Sequence, residues 1–231
     1  MKLSRILGVC FAIMCSTHEL EAQDLSQYRN FQLGSDVASV STLAGVPSSE
    51  AKTIHQRPAV LQDLEFRPSH WMPGSVAAST DPVEQIVFGF YNDQLFRMVV
   101  DYGHDRTEGM TAADMIEAIS AVYGPVLART SRAPGRVPSR LEIESGSLVG
   151  RWGDSQHAIV LYRTSSYGET FRLLVMDVGL ADLARKAETQ AVRLDDQEAP
   201  QREIVRQQKE RDDGRAATAK ARAVNKGVFR P

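Results

Sequence analysis

The chain has 231 residues, of which 42% are hydrophobic and 24% charged, with a formal net charge of −2. That length supports one large domain or two small ones. So small a net charge excludes attraction to nucleic acid or to an anionic membrane through bulk electrostatics.

The N-terminus carries Lys2 and Arg5, then the uncharged apolar run Ile6 to Cys15, then polar residues up to Ala22. A positive start and an apolar run of this length read as a secretory signal over residues 1–22, cut after Ala22. The run falls well short of the ~20 residues a spanning helix needs. Both cysteines, Cys10 and Cys15, lie in this segment, so removing it leaves no thiol for a disulfide, a metal or covalent catalysis. Neither cysteine follows the small residue a lipidation site requires.

Tyr28, Phe31 and Leu33 suggest a short lead-in strand over 23–33. Ser35 to Leu43 reads as a helix with Val37, Val40 and Leu43 as its stripe, stopped by Gly45-Val46-Pro47. A polar stretch runs to Pro58, a strand is expected over Ala59 to Phe66, and a loop rich in Pro, Ser, Gly and Ala over 68–82. Val83 to Tyr91 and Gln94 to Tyr102 are rich in strand formers and flank Asn92-Asp93, a two-residue hairpin turn. Simple alternation groups Phe96 with Met98, Val100 and Tyr102.

Thr111 to Tyr123 predicts a helix with Thr111 as N-cap and Asp114 as its capping-box partner. Its stripe is Met115, Ile116, Ile119 and Val122, and Gly124-Pro125 ends it. After a loop over 128–139, strands are expected over 141–152, 157–163 and 170–176. Leu180 to Leu194 forms an amphipathic helix, Pro200 breaks it, and 201–224 is polar and helix-prone. From Pro200 to Pro231 nine basic and four acidic residues make the tail +5, leaving −7 on residues 23–199.

The order helix, Gly-Pro stop, strands occurs twice. The fold expected is α+β, with two helix-plus-antiparallel-meander units in tandem followed by C-terminal helices. The segments are a signal over 1–22, a first unit over 23–106, a second over 107–179 and a charged helical tail over 180–231. Gly109-Met110-Thr111 with Gly124-Pro125, and more loosely Gly34-Ser35 with Gly45-Val46-Pro47, resemble the SmpA/BamE outer-membrane assembly lipoproteins and the β-lactamase inhibitory protein. The resemblance spans roughly residues 30–177. It implies a small α/β module used twice, in envelope assembly or in enzyme inhibition. The chain departs from both: it lacks the lipoproteins' acylation motif, and its mature part has none of the inhibitor's disulfides.

Catalytic patterns are weak. Asp154, Ser155 and His157 hold triad side chains, but a triad is assembled from separate elements, and Gly153 to Gln156 is a good turn. There is no G-x-S-x-G, Walker A, G-x-G-x-x-G, H-E-x-x-H or calcium loop. No catalytic residue, metal ligand or cofactor is assigned. Trp71, in the proline-rich loop, and Phe90, Tyr91 and Phe96, in the aromatic hairpin, are the candidate interaction surface. The expected function is an exported, non-catalytic binding or envelope-assembly module, periplasmic or extracellular. Any partner expected is an unidentified protein, with no nucleic acid and no transmembrane helix in the mature chain. The rivals are an exported hydrolase with a non-contiguous site and a secreted enzyme inhibitor.

Overall fold

The computed structural model describes residues 24–68, 81–127, 146–164, 170–228 and 230. It is an α+β fold on one antiparallel sheet with a long C-terminal helix. The lead-in is a small hairpin, β1 (Gln27–Tyr28) and β2 (Phe31–Gln32), in place of the single strand expected there. Arg29 at its turn adopts φ 54°.

Helix α1 (Val37–Ala44) is capped by Asp36, whose carboxylate accepts from the Ser39 N–H, and closed by Gly45 at φ 68°. Its buried stripe is Val37, Val40 and Ser41, and Leu43 is 56% exposed. With 3.6 residues per turn, the stripe widens from position 40 to 41 and turns Leu43 to solvent, against the sequence expectation. A 3-10 turn (Ser48–Glu50) and strand β3 (Lys52–His55) occupy the stretch read as irregular. β3 is short and exposed and carries Lys52, features that suit an edge strand and escape a hydrophobic pattern search.

β4 (Leu61–Phe66), β5 (Val83–Tyr91) and β6 (Gln94–Tyr102) follow as a meander. Asn92 and Asp93 turn the β5–β6 hairpin at φ 46° and 64°, as a two-residue primed turn requires. Their side chains also anchor other segments: Asn92 accepts from Val60 N and Asp93 from Val37 N. A short helix α2 (His104–Thr107) precedes α3 (Ala112–Tyr123), which has the expected capping box between Thr111 and Asp114. Its buried residues are Met115, Ile119 and Tyr123, while Val122 is 59% exposed.

β7 (Ser147–Gly153), β8 (His157–Thr164) and β9 (Thr170–Asp177) complete the sheet. Its order is β3-β4-β5-β6-β9-β8-β7, all antiparallel. Strands from both halves of the chain therefore share one sheet, joined where β6 pairs with β9.

One cross-strand row passes through Leu64, Phe88, Met98, Val175, Ile159 and Trp152, each no more than 1% exposed. This face is covered by the N-terminal hairpin, α1 and α3 in the main core. The Trp152 indole N–H donates to Ser120 Oγ of α3 at 3.0 Å, so its polar edge is satisfied where its ring is buried. Large apolar side chains buried this way stabilise by about 1.5–3 kcal/mol each.

The opposite face is partly covered by α4 (Val178–Val228), a single helix of 51 residues. Ala184 packs on Leu61 and Phe96, and Ala181 joins Val99, Val160 and Leu174. The expected break at Pro200 is absent: the helix continues through it. Proline costs the helix its own N–H donor and crowds the preceding turn. Here Arg202 reaches back to donate to both the carbonyl and the side chain of Asp195, each at 2.9 Å, and bridges the proline turn.

Candidate interaction surface

The four aromatic residues proposed from sequence do not form one exposed patch. Trp71 lies outside the described residues. Phe90 is 0% exposed in the main core. Phe96 is 7% exposed beneath α4, with half-buried Tyr91 at the same contact. A β-bulge separates them: Phe90 pairs with Leu95 and Gly89 with Arg97, so Phe96 is the extra residue. The bulge puts Leu95 with Phe90 and Met98 in one core and sends Phe96 to the other face, correcting the alternation read from sequence.

Beside Phe96, Asp63, Gly89 and Arg97 form a cross-strand row. Arg97 crosses over Gly89 to pair with Asp63 at 3.1 Å and stacks on the Phe96 ring at 5.2 Å. A Cβ on Gly89 would meet Arg97 at 2.5 Å, so the missing side chain makes room for the guanidinium. On the same face, Arg172 pairs with Asp101 across the β6–β9 join at 2.5 Å. These cations are neutralised in place and hold strands together.

Asp154, Ser155 and His157 behave as a turn. Asp154 Oδ1 accepts from the backbone N–H groups of Gln156 and His157, both at 2.7 Å, while His157 Nδ1 stands 3.6 Å away. The His157 and Gln156 N–H bonds hold the Asp154 carboxyl below its usual range. Ser155 is exposed and makes no bond to His157 among those described.

A cluster of tyrosines lies under the N-terminal hairpin. Tyr123 donates to the Gln27 carbonyl at 2.9 Å, and the Tyr28 and Tyr102 hydroxyls interact with one another. Burial raises the pKa of all three hydroxyls. Arg29 closes the cluster with a bidentate pair to Asp81 at 2.7 and 2.8 Å. The arrangement latches the lead-in to β6 and α3.

A shallow cleft of about 400 Å³ is lined by Ala38, Ser41, Thr42, Gly45, Val46, Pro47 and Ser48 and has no acid, base or histidine in its lining. Among the described residues no group of three or more His, Cys, Asp or Glu is placed to hold a metal, and no helix is long and apolar enough to cross a membrane.

Among the described residues the longest exposed run belongs to α4. Its first turns are fastened by Ala184, Ala187 and Ala191, and Arg57 pairs with Glu198 at 2.6 Å. From Gln201 to Val228 every residue with a described side chain is exposed. At 1.5 Å per residue this arm extends roughly 42 Å past the body. Sequence reading found its charge and helical tendency, but not its continuity with the docked half. Compared with protein-family models, curated proteins and solved structures, the chain matches none of them.

Proposed function

We propose that the chain is an exported, non-catalytic binding module that works through its helical arm and the adjoining body. The observation that carries this reading is the arm. Residues 201–228 bury nothing against their own body, yet they continue a helix rooted on it. A helix polar all round contributes no core, which leaves its surface open to a contact outside the fold. Export is read from the N-terminal pattern of Lys2, Arg5 and the apolar run to Cys15.

The tandem architecture belongs to the same reading. α1 precedes β3-β4-β5-β6, α3 precedes β7-β8-β9, the last strands of the two meanders pair, and β3 has no counterpart among the described residues. That order supports two related units joined about a pseudo-two-fold axis. Superposing the halves tests it: each helix should fall on the other, with the meanders in the same order. The functional reading is tested by expressing the full chain in a bacterial host and sequencing the N-terminus of the extracytoplasmic protein. A start at Gln23 is expected, and an intact Met1 confined to the cytosol contradicts export.

A further inference from the structure

From the gathering of cations on one face of α4 we infer that the arm lies along the surface of an anionic lipid bilayer. This rests on the reading of the arm as a docking element and names its partner. At 100° per residue, Lys186, Arg193, Arg211, Arg215, Arg222 and Lys226 fall within an arc of about 60° round the helix. Between Lys186 and Lys226 the rest of that arc is Gln190, Gln197, Ile204 and Gln208, with no acid. Every one of these residues is exposed. The nearest acids, Asp182 and Asp212, stand just outside the arc and pair with Lys186 at 2.7 Å and Arg215 at 3.7 Å. Arg193, Arg211, Arg222 and Lys226 pair with no acid among the described residues. The arm's other cations, Arg202, Arg206, Lys209 and Lys220, lie on the far side, where Asp195 and Asp213 interleave with them.

The docked line of α4, through Ala184, Ala187, Ala191 and Glu198, is about 120° round from the cationic arc, so these cations do not face the sheet. Arg211 stands roughly 15 Å past Gln201 along the rod, beyond the ~8 Å screening length at physiological salt. The −7 of residues 23–199 therefore does not cancel the cations from Arg211 to Lys226. The net charge of −2 draws the whole molecule to no anionic surface; the attraction is local to the arm.

A straight line of cations on a rod meets a plane along its whole length. It meets a curved duplex over only part of it, and residues 201–228 hold no aromatic side chain to stack on bases. Ile204 is the large apolar residue of the arc, too little for insertion, so the helix rests among the headgroups. The same lack of anchors denies a protein partner a buried centre on this face. Each cation held near an anionic bilayer is worth about fivefold in affinity.

Co-sedimentation of the full chain with phosphatidylcholine vesicles, with and without about 30% phosphatidylglycerol, tests this. At about 150 mM salt the screening length of about 8 Å is shorter than the helix diameter of about 10–12 Å, so the two faces act separately. Binding to the anionic vesicles is expected, at least about tenfold weaker on neutral vesicles and at about 500 mM salt. The variant R211Q/R215Q/R222Q/K226Q should bind at least about thirtyfold more weakly. The variant R202Q/R206Q/K209Q/K220Q removes the same charge from the far side and should stay within about threefold of the unaltered chain. Circular dichroism checks that both keep the helix. Four outcomes overturn the inference: no binding to anionic vesicles, equal binding to neutral ones, equal loss in the two variants, or a chain that leaves vesicles alone and retards duplex DNA. A chain that ignores vesicles but captures a protein through the arm removes the lipid and leaves the binding reading standing. Vesicle binding that survives removal of residues 201–231 removes both.

Discussion

At the scale of single residues, Gly89 shows how one missing side chain organises three strands. It sits between Asp63 and Arg97 in the cross-strand row, and Arg97 lies over it to reach Asp63. Gly89→Ala puts a Cβ into the Arg97 side chain, so the ion pair must open or the hairpin must shift. A loss of about 1–3 kcal/mol is expected from this overpacking, measured by denaturant unfolding. Thr111→Ala should cost about 1 kcal/mol by removing the hydroxyl that accepts from Asp114 N. The capping carboxylates set an acid limit. Backbone N–H bonds from Ser39, Thr111 and His157 hold Asp36, Asp114 and Asp154 below their ordinary range. Their folded pKa values are depressed, so their contribution is full above the unfolded value and is lost as pH falls through the folded one. Thermal unfolding should be flat from about pH 7 to about pH 5 in these contributions and decline below about pH 4.

At the scale of elements, what was legible in the sequence was what local chemistry decides. The Asn92-Asp93 turn, the Thr111 capping box and the Gly45 stop rest on residues within a few positions of one another, and each forms as read. The bulge at Phe96 was not legible, because alternation assumes an unbroken register and the extra residue appears only when both strands are paired. Of the candidate surface this moved Phe96 beneath α4 and left Phe90 in the core, while Trp71 falls outside the described residues. The pairing of β6 with β9 joins residues more than seventy apart, as Asp101 and Arg172 are, and no local pattern encodes it. Proline at 200 misled for a similar reason: its local preference is to end a helix, and docking on one side with the Arg202 bridge on the other carries the helix through. Pro200→Ala should raise helicity measured by circular dichroism near the junction and leave the unfolding temperature of the body unchanged.

At the scale of the whole molecule, the chain divides into a sheet body that is closed on its core face and a helix that begins on the body and leaves it. The body's cores are complete without residues beyond Ala191, since no residue after it is buried within the described part of α4. The arm is a helix by composition, rich in Ala, Arg, Gln and Lys, and Gly214 within it costs about 1 kcal/mol relative to alanine. Whether this division is physical is decided most directly by removing residues 201–231 and following the body by differential scanning calorimetry. An unfolding temperature within about 1–2 °C of the full chain is expected, less than the shift that about 1 kcal/mol produces in a domain of this size. A fall of about 8 °C or more would show that the arm belongs to the folded core and would contradict its reading as a docking element.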